Sequence, residues 1–342
     1  MNRLLAHPVC IIGLGLIGGS LLRDLRAAGQ PAFGFTRSCS GARSALSEGF
    51  DVSDDLDATL ARAEEEQALI VLATPISAID GILDKIVTLA PTCGITDVAS
   101  VKAQVYDLVL KHGLAGRYVG SHPMAGTADS GWKASQEGLF RGAAWVITFD
   151  HAIDTSGAVS SAWVELWFDV ARMIKLTGAE AIPSRVGHHD AAVARISHLP
   201  HLLAETQAIV GDNGGALALS LAAGSFRDGT RVAGTAPALV RGMCETNSAA
   251  LIDCLDEAIE LLTEARKGLA AKSPSIAELA DAGYRSRIRY EARSGITAKK
   301  QDAHAATTSV SGRPVLRLQP GAPGWIRQLA HAESLGARIE VF

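Results

Sequence analysis

The stretch Val9-Cys10-Ile11-Ile12-Gly13-Leu14-Gly15-Leu16-Ile17-Gly18 decides the fold. It is an apolar run, then G-x-G-x-x-G, then a helical pattern over residues 20–28. That context makes the glycines informative, because a strand–turn–helix of this kind is where the pyrophosphate of a dinucleotide rests. Gly13 permits the tight turn, Gly15 lets backbone approach phosphate, and Gly18 lets the helix sit close to the strand. The helix start adds unpaired N–H groups and a partial positive charge. Leu16 and Ile17, at that start, complete the expected contacts of the turn with the cofactor.

The next apolar segment, residues 32–36, ends on Thr36 and is followed by Arg37 and Ser38. A site that prefers NAD usually ends this strand with Asp or Glu, which binds the ribose 2′-hydroxyl. Two hydroxyls around a guanidinium suit a 2′-phosphate instead. NADP is therefore the expected cofactor, with NAD as the alternative; a solvated Arg37 is the plainer reading.

Composition bounds the rest. The chain has 342 residues, 48% hydrophobic and 20% charged, with a formal net charge of −4. This length suffices for two domains, and the mild acidity gives no reason to expect nucleic acid or an anionic membrane as partner. Five scattered cysteines without a C-x-x-C pattern read as reduced thiols of a cytoplasmic protein, with Cys10 and Cys93 in its core. No apolar run is long enough to span a bilayer, and the N-terminal stretch lacks a charged-then-apolar secretion signal.

Short apolar runs at 9–12, 32–36, 68–73, 94–98, 118–120 and 144–149 alternate with helical patterns. They are expected to form a doubly wound, Rossmann-type parallel sheet in an α/β domain over residues 1–152. Ligands of such sheets bind outside the carboxyl ends of the strands. Here those ends carry Thr74-Pro75, Ser100 and His122. Residues 153–292 read as an all-α substrate and dimerisation domain, with helices at 158–174, 184–210 (kinked by Pro200) and 248–271, and one starting at Ser273-Pro274. Residues 293–313 read as a mobile loop or linker, and 314–342 as a short βαβ unit.

His122 lies just past a strand between Ser121 and Pro123, where an imidazole can accept a hydroxyl proton as hydride leaves the same carbon. Ser100, at another strand end, can hydrogen-bond that imidazole or the substrate hydroxyl. A satisfied buried histidine is the competing reading.

The surrounding segments carry a resemblance. Gly120-Ser121-His122-Pro123-Met124-Ala125-Gly126-Thr127, Asp97-Val98-Ala99-Ser100-Val101-Lys102, Ser197-His198-Leu199-Pro200-His201 and Asp228-Gly229-Thr230-Arg231 resemble the prephenate/arogenate dehydrogenase family. With the glycine turn they occur in the family's order. The resemblance implies oxidative decarboxylation of a cyclohexadienyl acid on the tyrosine pathway. Prephenate giving 4-hydroxyphenylpyruvate is the first expectation, and arogenate giving tyrosine the alternative.

The resemblance also implies His122 as the proton acceptor, Ser100 as its orienting partner and Arg231 as a carboxylate-binding residue. It places His201 and His198 at the substrate pocket; His189, nine residues before His198 on the same helical pattern and about half a turn out of phase with it, is the more remote candidate for that pocket. A zinc site from His189, His198 and His201 lacks a neighbouring carboxylate or thiolate, so no metal is expected. The C-terminal βαβ looks like half of an ACT regulatory module. A homodimer is expected. Two other readings differ in class: another β-hydroxyacid dehydrogenase, whose base is typically a lysine on an all-α domain, and a non-enzymatic NADP sensor.

Overall fold

The computed structural model describes residues 4–127, 129–294 and 311–341. The chain divides into two compact units, residues 1–189 with 314–342, and residues 190–313.

The first unit is built on six parallel strands in the order β3-β2-β1-β4-β5-β6. These are β1 (Val9–Ile12), β2 (Ala32–Phe35), β3 (Val52–Ser53), β4 (Leu69–Leu72), β5 (Ile95–Asp97) and β6 (Tyr118–Val119). Helices α1 (Leu16–Ala27), α2 (Cys39–Ser47), α3 (Leu56–Glu65), α4 (Ile76–Leu89) and α5 (Ala103–Lys111) connect them. The unbroken apolar runs reflect cover on both faces. Val9, Ile11, Leu69 and Val71 join one core with Leu21, Leu22 and Leu25 of α1. Cys10, Ile12, Ile70 and Leu72 join the other with Ile79, Leu83 and Ile86 of α4. Burial pushes the Cys93 thiol up to about 12 and the Cys10 thiol higher still, so both are inert packing groups. The strand order reverses between β1 and β4, which places the ligand crevice at their carboxyl ends.

Residues 144–149, expected in this sheet, leave it. The chain crosses at Gly120, where a Cβ would stand 2.9 Å from both Tyr118 Oη and Thr148 Oγ1. Beyond that crossing, β7 (Ser121–Pro123) pairs antiparallel with β8 (Ala144–Thr148), which pairs parallel with β9 (Glu180–Ser184). Helix α6 (Asp150–Asp154) follows β8, and α7 (Ser161–Leu176) covers this second sheet. Its Trp163 and Trp167 are buried and donate their indole N–H groups to the carbonyls of Tyr118 and Thr148, at 3.0 Å each. Residues 153–189 thus belong to the first unit, and the division falls at 189/190, not at the expected 152/153.

The C-terminal βαβ unit forms as expected, with β10 (Val315–Leu318) parallel to β11 (Arg338–Val341). It is part of the first unit and packs on β9. We number its helix (Trp325–Leu335) α15. Of the expected loop 293–313, residues 295–310 lie outside the described residues.

The second unit is helical in its described residues. The expected helix over 184–210 is three pieces: α8 (Val186–Val193), a π-helical turn (Ala194–His198) and α9 (Leu199–Asp212). Pro200 sits in the first turn of α9 and has no N–H for the preceding turn, so the chain widens there instead of kinking mid-helix. After α10 (Gly215–Ser220), α11 (Gly224–Thr230), α12 (Pro237–Thr246) and α13 (Ser248–Ala270), α14 (Ala277–Ser294) begins three residues past the expected Ser273-Pro274 start. Ser275 Oγ accepts the N–H of Ala277 there. Among the described residues, no helix is long and apolar enough to cross a membrane.

Candidate active site

The glycine turn is shaped by close backbone approach. Gly13 has φ +108°, and a Cβ on it would stand 2.6 Å from Ala73 O at the end of β4. A Cβ on Gly18 would stand 2.0 Å from Gly13 O, so the helix can lie against the turn only without one. Gly15 differs, because a Cβ there would meet nothing within 4 Å. It is the N-cap of α1 and no side chain caps the helix, so the N–H groups around Leu16 and Ile17 face an open cradle. Beside the turn, Thr74 Oγ1 is buried without a hydrogen-bond partner among the described residues, and Pro75 starts α4. An uncapped helix start, an open glycine and an orphaned hydroxyl together fit a dinucleotide pyrophosphate.

At the end of β2, Thr36 is buried and its Oγ1 accepts the Ser38 N–H at 3.3 Å. Ser38 caps α2 by accepting the Gly41 N–H at 3.1 Å. Arg37 is exposed and has no hydrogen bond or ion pair among the described residues. The two hydroxyls therefore order the turn that presents Arg37.

His122 lies on β7, half-buried, and its Nδ1 is 2.9 Å from Nε2 of His189, with the rings edge-on at 78°. His189 is 2% exposed. The expected substrate contact is thus a buried imidazole bonded to the back of His122. When His122 donates from Nδ1, its Nε2 keeps the lone pair that a base needs. Ser100 is half-buried three residues beyond β5.

Beneath His122 lies a network that the sequence reading passed over. Lys102 is fully buried and donates from Nζ to the Asp97 carboxylate and to Ser121 O (2.7 Å). Asp97 also accepts from Tyr118 Oη (2.7 Å) and from the N–H groups of Ala99 (3.0 Å) and Ser121 (3.2 Å). Ser121 Oγ donates to Asp97 O at 2.6 Å and receives the Trp145 indole N–H at 3.1 Å. Every polar group of Ser121 is held, which fixes the backbone on which His122 sits. Burial, with Asp97 alongside, pushes the Tyr118 phenol well above its ordinary value, so it remains a donor. The signal was the Asp97…Lys102 spacing at a strand end, where only Ser100 had been singled out.

In the second unit, His198 is 1% exposed, and the Asn247 amide lies 3.2 Å from its Nδ1. His201 is half-buried, and its Nδ1 lies 2.8 Å from Ser197 O in the π turn. With Nδ1 donating there, the neutral ring keeps Nε2 as an acceptor. Arg231 follows α11 on a short turn packed against α9. It is exposed, with no hydrogen bond or ion pair among the described residues. Those residues contain no group of three or more His, Cys, Asp or Glu side chains that could hold a metal ion.

Fold and site together define a nicotinamide-dependent dehydrogenase. A family model described as the nucleotide-binding domain of prephenate dehydrogenase matches residues 22–172, and one described as its dimerization domain matches residues 185–281. The chain is 31% identical over 275 residues to the prephenate dehydrogenase of Bacillus subtilis, covering 78% of this chain and 71% of that one. It is 30% identical over 278 residues to the cyclohexadienyl dehydrogenase of Zymomonas mobilis, covering 77% and 89%. A crystal structure from Corynebacterium glutamicum, provisionally named a prephenate dehydrogenase, superposes with a TM-score of 0.91 at 61% identity, covering 99% of this chain and all of that one. The chain belongs to the prephenate dehydrogenase family.

Proposed function

We propose that the chain catalyses the oxidative decarboxylation of prephenate to 4-hydroxyphenylpyruvate, in tyrosine biosynthesis, with NADP as the preferred cofactor. The observation that carries this reading is the His122 imidazole, held from behind by His189 in the unit that bears the dinucleotide cradle. The bound nicotinamide supplies the acceptor for hydride from ring C4. His122 takes the proton of the C4 hydroxyl through Nε2, so that a neutral carbonyl forms as hydride leaves. Ser100 orients that hydroxyl. Loss of the ring carboxylate as CO₂ sends the electron pair of the broken bond through the ring to the C4 oxygen, which takes back the proton held by His122 as the ring becomes aromatic, so the protein need only align C4 and hold the carboxylates. Arg231 suits a bidentate carboxylate grip, and His201 offers a second polar contact.

NADP preference is supported by Thr36 where an acid would repel a 2′-phosphate, and by Arg37 presented without a side-chain partner among the described residues. A homodimer is supported by the apolar surface of the second unit. Among its described residues, Ile209, Val210, Leu217, Leu221, Leu262 and Leu269 are each more than half exposed, whereas Leu251 and Val240 are its only large aliphatic side chains buried besides Val193. A cytoplasmic setting keeps the five cysteines as free thiols.

The test is purified protein with each of prephenate and arogenate against each of NADP and NAD, following absorbance of the reduced nicotinamide. Prephenate with NADP should give the highest kcat/KM. No turnover of either acid refutes the reaction, turnover of arogenate alone reassigns the substrate, and a strong NAD preference refutes the role of Arg37.

A further inference from the structure

Helix α8 starts without a cap of its own. Arg185 occupies the N-cap position, since its carbonyl accepts the His189 N–H at 2.9 Å, and an arginine side chain cannot accept the free N–H groups of the first turn. Two carboxylates from distant elements do so instead. Asp150 accepts the Val186 N–H at 2.9 Å. Glu333, on α15, accepts the Arg185 N–H at 2.6 Å. The same nearly buried Glu333 carboxylate takes the Arg185 guanidinium through Nε and Nη2, both at 2.8 Å, and lies 3.0 Å from His188 Nδ1. Helix α15 is itself fixed, with Trp325, Leu329 and Ala332 buried and the Trp325 ring edge-on to Trp167 at 5.5 Å. His189, which holds His122, lies in the first turn of α8, so whatever sets the start of α8 sets the position of that ring.

We infer that Glu333 is a positioning residue for the His122–His189 pair, and that the C-terminal βαβ unit, which lies beyond the residues matched by the family models, serves the reaction through it. The inference rests on His122 being the proton acceptor. The path is continuous within one unit: Glu333 carboxylate, Arg185 N–H, first turn of α8, His189 Nε2, His122 Nδ1. A displacement of about 1 Å in a reacting group can cost up to a hundredfold in rate, so even a partial release of the helix start is measurable.

The experiment compares full-length Glu333→Ala, which removes the acceptor of the Arg185 N–H, with Arg317→Ala, which breaks the exposed Arg317–Glu340 pair of the same βαβ unit. Both receive a thermal melt, kcat and KM for prephenate, and ¹⁵N spectra of labelled histidines assigned by His122→Asn and His189→Asn. Glu333→Ala should lower kcat roughly tenfold with KM changed less than about twofold. It should also shift the His122 and His189 ring resonances, while Arg317→Ala moves neither. If Glu333→Ala does not fold, Arg185→Ala, which keeps the backbone N–H bond and removes the guanidinium, must show the same pattern in weaker form. Unchanged kcat and resonances overturn the inference, as does an equal effect from Arg317→Ala. His122→Asn separates the two readings. Full turnover there removes His122 as the base, and the ring resonances still decide whether Glu333 sets the pair. Loss there with no effect of Glu333→Ala overturns the Glu333 inference alone.

Discussion

The three glycines of the turn do different physical work, and Gly15→Ala isolates the part that concerns the cofactor. Gly15 has φ −83° and ψ −155°, an extended conformation open to alanine, and the new Cβ would meet nothing within 4 Å. Two small terms then act on stability. A less flexible unfolded chain favours alanine by about 0.4–1 kcal/mol, and the loss of glycine at an N-cap costs a similar amount. The net change in folding should stay within about 0.5 kcal/mol, a shift in Tm of a degree or two for a chain of this size. Binding responds otherwise, because the methyl group enters the space that a pyrophosphate would fill and holds it off the N–H groups at the start of α1. Losing one to two hydrogen bonds to a charged group, at about 1.5–3 kcal/mol each, weakens affinity by roughly tenfold to a hundredfold or more. Gly18→Ala is the converse control. Its Cβ would lie 2.0 Å from a backbone oxygen that cannot move independently, so it should destabilise the fold by roughly 3 kcal/mol or more. Thermal melts without ligand and calorimetric titration with NADP separate the two effects. Gly15→Ala binding NADP with the affinity of the parent chain would refute the cradle.

Three further outcomes follow from the site and its supports. His122→Asn should lower kcat by roughly two to four orders of magnitude with little change in KM for prephenate, measured by initial rates. Arg231→Ala should raise that KM at least about tenfold and change the melt little, since the side chain is exposed and has no ion pair among the described residues. Burial raises the Asp150 carboxyl to about 6, with the Asp154 and Glu333 charges adding to it and the Val186 N–H opposing it. A raised folded-state value means that the native chain binds more protons between about pH 4 and pH 6. The stability linked to Asp150 is therefore present below pH 4 and lost as pH rises through 6. Asp150→Asn keeps an acceptor for Val186, so it should gain about 1–2 kcal/mol over the parent at pH 7 and nothing at pH 4, read from urea midpoints.

The parallel sheet, its two-faced cores and the glycine turn were legible because each rests on local pattern: unbroken apolar runs, helical periods and a motif of six residues; the two-residue β3 (Val52–Ser53) was too short to show one. The second sheet was not. Ser121–Pro123 is too short to show a period, and residues 144–149 read as well for a strand of the first sheet as for a neighbour of β9. The choice was made at Gly120 by a steric crossing between Tyr118 and Thr148, which joins residues 30 apart. Helix α7 was likewise legible as a helix but not in its partner. The histidines carry the same lesson. Proximity in sequence grouped His189 with His198 and His201, whereas His189 binds His122, 67 residues away, and His198 turns to Asn247, 49 residues away.

Lys102 and Asp97 raise the question of why a charged pair lies wholly buried under His122 when apolar groups of equal volume are often as stabilising. The partners supply the answer. An apolar pair could fill the space but could not accept the Ser121 N–H or donate to the Ser121 carbonyl, and both groups would be left unsatisfied beside His122. Lys102→Met therefore removes more than one bond. It strands the Asp97 carboxylate in the core and orphans Ser121 O, and should cost about 3–5 kcal/mol. Adding Asp97→Asn removes the stranded charge and keeps the oxygen that accepts from Tyr118 and Ser121. The double variant should then be more stable than the sum of the two single losses by at least about 1 kcal/mol, while kcat stays depressed because Ser121 O remains unheld. Urea denaturation of the four proteins measures that coupling. Strict additivity would mean that the two charges do not support each other, and a double variant with parental kcat would mean that the clamp on Ser121 does not serve His122.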